Sequence, residues 1–288
     1  MAEDIQIRLL DTYQPITEED IRTGKNFVLR REIAANGLAS LVDSLLADAA
    51  AKITQIAYKY GVDPKEFMLS PQYNEQMFRQ MSRILDELED AILDLIEDYS
   101  LRCTKDDDKK KWLLLWILAL GRNGKGLRRS LQDRLWMFSR DIEAMIVAAR
   151  TAKMDVTRAV SVIRSNLHTS YLMPGMQEAF ANSSLYKAQY IRKHGVKKGN
   201  RGSSNSEANN IIRFAKTTVQ MAWMQYHRRL YEGHGAAGYY VLRGSTFPCD
   251  LCDSMVGYHP IDDVDGYPMY HANCQCFTVP VFSINSQT

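Results

Sequence analysis

The stretch from Cys249 to Cys276, CDLCDSMVGYHPIDDVDGYPMYHANCQC, decides how the C-terminal part of this chain folds. It contains a Cys-x2-Cys pair, an eighteen-residue spacer and a His-x2-Cys-x-Cys group. Thiolate and imidazole are ligands that zinc prefers, and a structural zinc site takes four of them in a tetrahedron. Because the two groups lie apart in the sequence, a metal bound by both would hold two separate loops together.

Five side chains compete for the four positions around such a metal: Cys249, Cys252, His271, Cys274 and Cys276. We expect the first four to bind and Cys276 to be a substitute ligand or a packed thiol, with His259 as a weaker candidate. A catalytic zinc needs three protein ligands and an open position, so this excess favours a structural Zn²⁺. The alternative is a set of core thiols or a disulfide. An odd total of five cysteines, without an export signal, favours a reducing compartment and a metal.

The regions around the ligands differ in periodicity. Strand-like stretches lie on either side, GYYVLRGS at 238–245 and CFTVPVFSI at 276–284. Upstream, apolar residues recur at the three- and four-residue spacing of amphipathic helices. This spacing predicts helices over 27–60, 73–99, 111–150 with a break near Gly121–Gly126, a helix capped by Asp155, and 207–231. The predicted fold is mainly α, with long amphipathic helices followed by a small C-terminal α+β module stapled by zinc.

Composition divides the chain into four segments. We predict an N-terminal arm over 1–25, a helical domain over 26–180, a basic flexible linker or loop over 181–206 and an α+β domain over 207–288. The linker follows from six basic residues and no acidic one between Ala179 and Ser206, in a Gly/Ser/Asn-rich context. The longest apolar run, Trp112–Leu120, is too short to cross a bilayer, so no membrane-spanning segment is expected.

The charge distribution restricts where nucleic acid could bind. Thirty-six basic and thirty-four acidic residues leave a net charge of +2, too little for a protein that coats nucleic acid along its whole surface. From Gly244 to Thr288 there are five aspartates and no Lys or Arg, so phosphates would be repelled by the zinc module. Any weak DNA contact is expected from the linker, through Lys193, Lys197, Lys198 and Arg201, or from Arg122, Lys125, Arg128 and Arg129. A solvated charged face is the alternative for both sets.

Three motifs of enzymes or nucleotide-binding proteins are matched only in part. PCDLC at 248–252 matches half of the zinc-deaminase signature, but no histidine here is followed by Glu two positions later. The Cys-x-x-Cys pair follows a predicted strand beside other ligands, unlike a thioredoxin motif at a helix start. GRNGKG at 121–126 lacks the spacing of a phosphate-binding P-loop.

The C-terminal third resembles the phage head morphogenesis domain, the family of the phage Mu F-type minor head proteins. The family pattern of Cys-x-x-Cys, a glycine and His-x-Asn-Cys-Arg-Cys is matched over about 207–283 by Cys249, Cys252, Gly257, His271, Asn273, Cys274 and Cys276. Two positions depart from it. Gln275 replaces the usual arginine, and Lys216-Thr217-Thr218 stands where Arg-Thr-Glu is typical.

The resemblance implies a virion protein of the phage head, made in the host cytoplasm, and not an enzyme. It implies a minor head or internal capsid protein that associates with the portal or the capsid interior and acts in head assembly or genome delivery. The implied partners are portal and capsid proteins, and the helices could also mediate self-association. The alternatives are a packaging accessory that contacts DNA, or a toxin-like enzyme on the same domain. The polar residues nearest that domain are His227, Arg228, Glu232 and His234.

Overall fold

A computed structural model describes residues 12–61, 71–120, 126–170, 173, 176 and 206–284. In this part of the chain, long helices precede a small sheet, which confirms the predicted fold class. The helices are α1 Glu18–Lys59, α2 Glu75–Leu101, α3 Asp107–Ala119, α4 Leu127–Thr151, α5 Val156–Ser165, α6 Glu207–Gly233 and the single turn α7 Asp250–Asp253. The strands are β1 Gly238–Leu242, β2 Gly257–Pro260 and β3 Phe277–Val281.

Helix α1 begins earlier than the sequence analysis predicted. Its first turn carries Glu18, Glu19 and Asp20, whose charges favour the positive end of the helix dipole. Thr17 and Asp20 form a reciprocal cap: the Thr17 N–H donates to Asp20 Oδ2 at 2.8 Å, and the Asp20 N–H donates to Thr17 Oγ1 at 3.2 Å. Residues 18–25, predicted as part of an arm, are therefore helical, whereas residues 1–11 lie outside the described residues.

Helix α1 is also long and apolar enough, by length and composition alone, to cross a membrane. It contains an 18-residue window of this kind, of which a third is buried inside the protein. Membrane spans and the core helices of soluble proteins share this composition.

Helices α2 to α6 lie close to their predicted positions. Asp155 caps α5 as expected, because its Oδ1 accepts from the Arg158 N–H at 2.9 Å. The predicted break near Gly121–Gly126 falls between the end of α3 and the start of α4; residues 121–125 lie outside the described residues. Gly126 precedes α4 with a φ of 76°, a conformation that favours glycine.

The chain divides into two compact units, each assembled from separated segments. The first consists of Met1–Gly37, Asp98–Trp116 and Thr217–Thr288, and the second of Leu38–Glu97 and Ile117–Lys216. Helices α1, α2, α3 and α6 contribute residues to both. The sequence analysis drew its domains as continuous segments. The boundary predicted at residue 207 coincides with the start of α6, and the predicted linker lies outside the described residues except for Ser206.

The sheet belongs to the first unit and has β1 at its centre. Both neighbours are antiparallel, in the order β2-β1-β3, with Tyr240 opposite Tyr258 on one side and Val279 on the other. Leu242, Phe277 and Val279 form one buried cluster with a few partly buried neighbours, and Tyr239, Val241 and Val281 are buried as well. The sequence predicted β1 and β3, the strands on either side of the candidate ligands. It did not predict β2, because the four residues GYHP carry no strand pattern.

Candidate metal centre

The first pair of candidate ligands lies on the one-turn helix α7. Cys249 is its N-cap and Cys252 lies inside the turn, where the Asp253 N–H donates to the Cys249 carbonyl at 2.8 Å. Arg243, the residue directly after β1, forms an ion pair with Asp253 and also donates to the Phe247 carbonyl. These contacts connect the end of the strand to the turn that carries both thiols.

The second group of ligands comes from a tight turn that leads into β3. The Cys274 N–H donates to the His271 carbonyl at 3.1 Å, and Asn273 between them has a φ of 65°. Asparagine is one of the few residues that adopt this left-handed conformation readily. Gly244 makes room for the turn, since a Cβ there would lie 1.9 Å from the Gln275 carbonyl oxygen.

The structure brings all five predicted ligands together around Cys252. Two groups, Cys249/Cys252/His271 and Cys252/Cys274/Cys276, each have their ligand atoms within 4.8 Å of one another. His271 Nε2 lies 3.0 Å from Cys252 Sγ and 3.4 Å from Cys249 Sγ, and Cys252 Sγ lies 3.9 Å from Cys274 Sγ. In a tetrahedral zinc site, bonds of about 2.3 Å to sulfur and 2.0–2.1 Å to nitrogen put neighbouring ligand atoms roughly 3.5–3.8 Å apart. The donor atoms and their spacing fit a metal of this kind.

His271 is oriented as a ligand. Its Nδ1 lies 2.9 Å from the Ala272 carbonyl and donates to it, so that Nε2 faces the sulfurs. A metal-binding histidine commonly has its second nitrogen fixed in this way. The hydrogen bond to the Ala272 carbonyl raises the pKa of His271, and the nearby thiolates add to the effect.

The thiols do not share one protonation state. The Cys276 thiol donates to Cys274 and lowers the Cys274 pKa to about 5, whereas that same bond, with burial, raises the pKa of Cys276. The backbone N–H of Cys252 lowers the pKa of Cys249, and burial raises that of Cys252 to about 12. The surroundings therefore favour the thiolate form at Cys249 and Cys274 and the protonated form at Cys252. Metal binding at Cys252 would release a proton.

A residue that the sequence analysis did not find supports the second turn. Arg31 of α1 is fully buried, and its Nη2 donates to the Cys274 carbonyl at 2.7 Å and to Glu32 at 3.0 Å. The two residues are 243 positions apart. No local pattern in the sequence signals such a contact.

His259, the weaker candidate, does not join the cluster. Its Nδ1 lies 2.8 Å from Asp263 Oδ2 and its Nε2 2.9 Å from the Met255 carbonyl. Asp263 also accepts from the Gly266 N–H at 2.9 Å, and the His259 hydrogen bond lowers the pKa of this carboxyl. The histidine therefore braces the spacer loop between the two ligand groups.

The disulfide alternative does not match the structure. All five cysteines are free, and the 3.9 Å between the sulfurs of Cys252 and Cys274 far exceeds a disulfide bond of about 2.05 Å. Cys103 lies apart from the cluster, and burial raises its pKa to about 12, which is typical of an unreactive thiol.

The polar residues considered for an enzyme take structural positions. His227 is only 7% exposed; the Phe27 ring stacks on it at 3.8 Å, and its Nδ1 lies 3.3 Å from the Tyr267 hydroxyl. Burial lowers its pKa to about 3. Arg228 pairs with Glu232 at 2.8 Å.

The basic residues considered for DNA contact are only partly described. Lys193, Lys197, Lys198 and Arg201 lie outside the described residues, as do Arg122 and Lys125. The remaining two have acidic partners. Arg128 pairs with Glu89 and Asp90, and Arg129 with Asp133.

Comparison with known proteins gives no relative: no family model, curated protein or solved structure matches the chain.

Proposed function

We propose that Cys249, Cys252, His271 and Cys274 hold a structural zinc ion. The observation that carries this is the chain of short distances that links Cys249, His271, Cys252 and Cys274. Cys276 is then the fifth side chain, which donates to the Cys274 sulfur; this bond and burial raise the pKa of Cys276. Four protein ligands leave no open position for substrate, so the metal serves folding.

Metal analysis of matched Cys→Ser variants tests this ligand set. The full-length protein and Cys276→Ser should each contain one zinc per chain, whereas Cys249→Ser should lose it. Cys103→Ser is the control, because Cys103 lies apart from the cluster. Full zinc retention in Cys249→Ser, or loss in Cys276→Ser alone, would show that the ligand set is wrong.

We also propose that the protein is a non-enzymatic structural component of a phage head, associated with the portal or the capsid interior. The matched Cys/His/Gly/Asn pattern supports this role. Its non-ligand residues Gly257 and Asn273 adopt positive φ angles of 137° and 65°, which glycine and asparagine tolerate better than other residues. The two backbone conformations that these residues favour thus accompany the Cys/His spacing.

Quantitative mass spectrometry with cross-linking, on whole particles from the source that encodes the chain, tests the head role. We expect the protein in DNA-filled particles, with cross-links to portal or capsid subunits. Its absence from the particles, with free protein in the lysate, would contradict a virion role and favour a search for a substrate.

A further inference from the structure

An apolar groove lies beside the metal centre within the first compact unit. Its volume is about 380 Å³, within the range of ligand-binding clefts. Aromatic and aliphatic side chains line it together with four methionines, Met221, Met224, Met255 and Met269. Of the residues that line it, Asp265 is the only charged one. Methionine side chains are flexible and polarizable, and they are over-represented on surfaces that accept apolar partners.

Two apolar side chains of the groove are about half exposed. Leu251 and Val264, both on its lining, are 49% and 52% exposed. They lie on the two segments that also carry the candidate ligands or the spacer between them. A contiguous apolar surface with a polar rim is the usual appearance of an interaction site.

The side of the groove formed by the C-terminal module is acidic. Exposed Asp250 adjoins Leu251, and exposed Asp265 adjoins Val264. The stretch from Gly244 to Thr288 has five aspartates and no Lys or Arg. The cations of α3 and those near α6 have partners: Lys109, Lys110 and Lys111 pair with aspartates of α3 or directly before it, Arg228 pairs with Glu232, and Arg229 lies over the Trp112 ring. The acidic side of the groove therefore favours a cationic partner.

We propose that this groove binds a basic amphipathic helix of a partner protein. The apolar stripe of that helix packs on the methionines, and its Lys or Arg side chains lie against Asp250 and Asp265. This is the helix-in-groove mode of recognition, with charge complementarity setting the class of partner. The inference adds a contact surface to the proposed head role and does not depend on which metal is bound.

Fluorescence anisotropy with the full-length protein tests the groove. The probe is a labelled 18-residue peptide with leucines at helical spacing and lysines elsewhere; its matched control has glutamates in place of the lysines. We expect the lysine peptide to bind at least tenfold more tightly than the glutamate peptide. Leu251→Lys/Val264→Lys should weaken its binding at least tenfold. Phe247→Lys/Val256→Lys adds the same charge at exposed apolar positions of the module that do not line the groove, and should leave binding unchanged.

A second variant tests the charge of the groove without changing its apolar surface, and its small substitutions are unlike those that could disturb folding. Asp250→Asn/Asp265→Asn should reduce the preference for the lysine peptide and flatten its salt dependence. Equal binding of both peptides, equal weakening by both lysine double variants, or no binding of either peptide would overturn the proposal. Sedimentation velocity tests whether the groove instead binds a second copy of the chain. Self-association that Leu251→Lys/Val264→Lys abolishes, and with which the lysine peptide does not compete, would also overturn the proposal.

The groove and the proposed head role fail separately. Absence of the protein from particles would contradict the head role and leave the peptide measurements standing. Failure of the peptide measurements would remove the groove and leave metal content and particle incorporation unchanged.

Discussion

Arg31 is a buried guanidinium whose Nη1 makes no hydrogen bond with the described residues. Burying an incompletely bonded cation is costly, and the Glu32 carboxylate together with the Cys274 carbonyl leaves this one nitrogen without a partner among the described residues. Thiolate ligands would add negative charge near the guanidinium. Arg31 would then hold the second turn in place and also offset part of the charge of a metal–thiolate cluster.

Replacing Arg31 should therefore weaken metal binding. We expect Arg31→Met to lower zinc affinity about 10- to 100-fold, as changes to residues that support ligands commonly do. Arg31→Lys should retain part of the affinity, and Arg30→Met, at the exposed neighbouring position of α1, should retain all of it. Competition with a chromophoric chelator measures the affinities. Equal affinities of Arg31→Met and Arg30→Met would show that Arg31 has no part in the site.

His227 gives the protein a pH-dependent stability. Its pKa is about 3 in the folded chain and about 6.5 when unfolded, so the unfolded state binds the proton first as pH falls. Its stabilising effect is thus complete above pH 6.5 and is lost progressively down to about pH 3. Between pH 6.5 and 5, the loss attributable to this group is about 2 kcal/mol.

Denaturant unfolding at pH 7 and pH 5 measures this contribution by difference. His227→Phe should show a smaller loss of unfolding free energy than the full-length protein, because phenylalanine stays neutral and can stack on Phe27. His234→Gln, at an exposed position, should show the same loss as the unchanged protein. Metal release in acid affects all three proteins alike. An unaltered pH slope in His227→Phe would contradict the assignment.

The sequence predicted the candidate ligands but not the residues that support them. The five side chains of the Cys/His cluster were found because their spacing is local and their chemistry is restrictive. Arg31 was not found, because its contact with Cys274 depends on how α1 packs. The partners of His259, the weaker candidate, were not found either, because Asp263 and the Met255 carbonyl carry no metal-site pattern. Recognition of ligands is a local problem, whereas recognition of their supports requires the fold.

At the scale of elements, a metal would add stability to the short segments around the sheet. Strand β2 and helix α7 have four residues each, and no residue of β2 is buried. Elements this short bury little apolar area, so a metal that ties α7 to the turn before β3 supplies free energy that the core lacks.

Metal removal should therefore loosen the sheet and spare the helices of the second unit. Hydrogen exchange followed by mass spectrometry, before and after chelation, should show faster exchange in β1 and β3. Peptides from α4 and α5 should exchange at the same rate in both states, and far-UV helicity should barely change. Restoring zinc is the control. Unchanged protection of β1 and β3 in protein shown to be metal-free would contradict a folding role for the metal.

The elements also show which local signals predict structure. Helices α2, α4 and α6 were found because their apolar faces repeat over many turns. The start of α1 was missed because the Thr17–Asp20 cap precedes the apolar repeat, and β2 because its four residues pair with β1 without a pattern of their own. Gly238 permits that pairing, since a Cβ there would lie 2.4 Å from the His259 carbonyl oxygen.

At the scale of the whole molecule, the metal-bearing unit draws on three separated segments. Composition predicted a domain starting at residue 207, but contacts inside this unit reach back to earlier helices. Phe27 stacks on His227, and the Trp223 indole donates to the Tyr99 carbonyl at 2.9 Å. The fragment 207–288 therefore lacks part of its own core.

That fragment should bind zinc but fold poorly when expressed alone. We expect it to melt well below the full-length protein and to exchange its β1 and β3 amides faster, because residues 12–37 and 98–116 no longer cover α6 and the sheet. Adding a peptide of residues 12–37 should raise the melting temperature of the fragment, and the same peptide with Phe27→Ala and Arg31→Ala should raise it less. These two side chains contact His227 and Cys274 directly. A fragment that melts with the full-length protein would show that the domain boundary predicted from composition is correct and that the earlier segments add little to its stability.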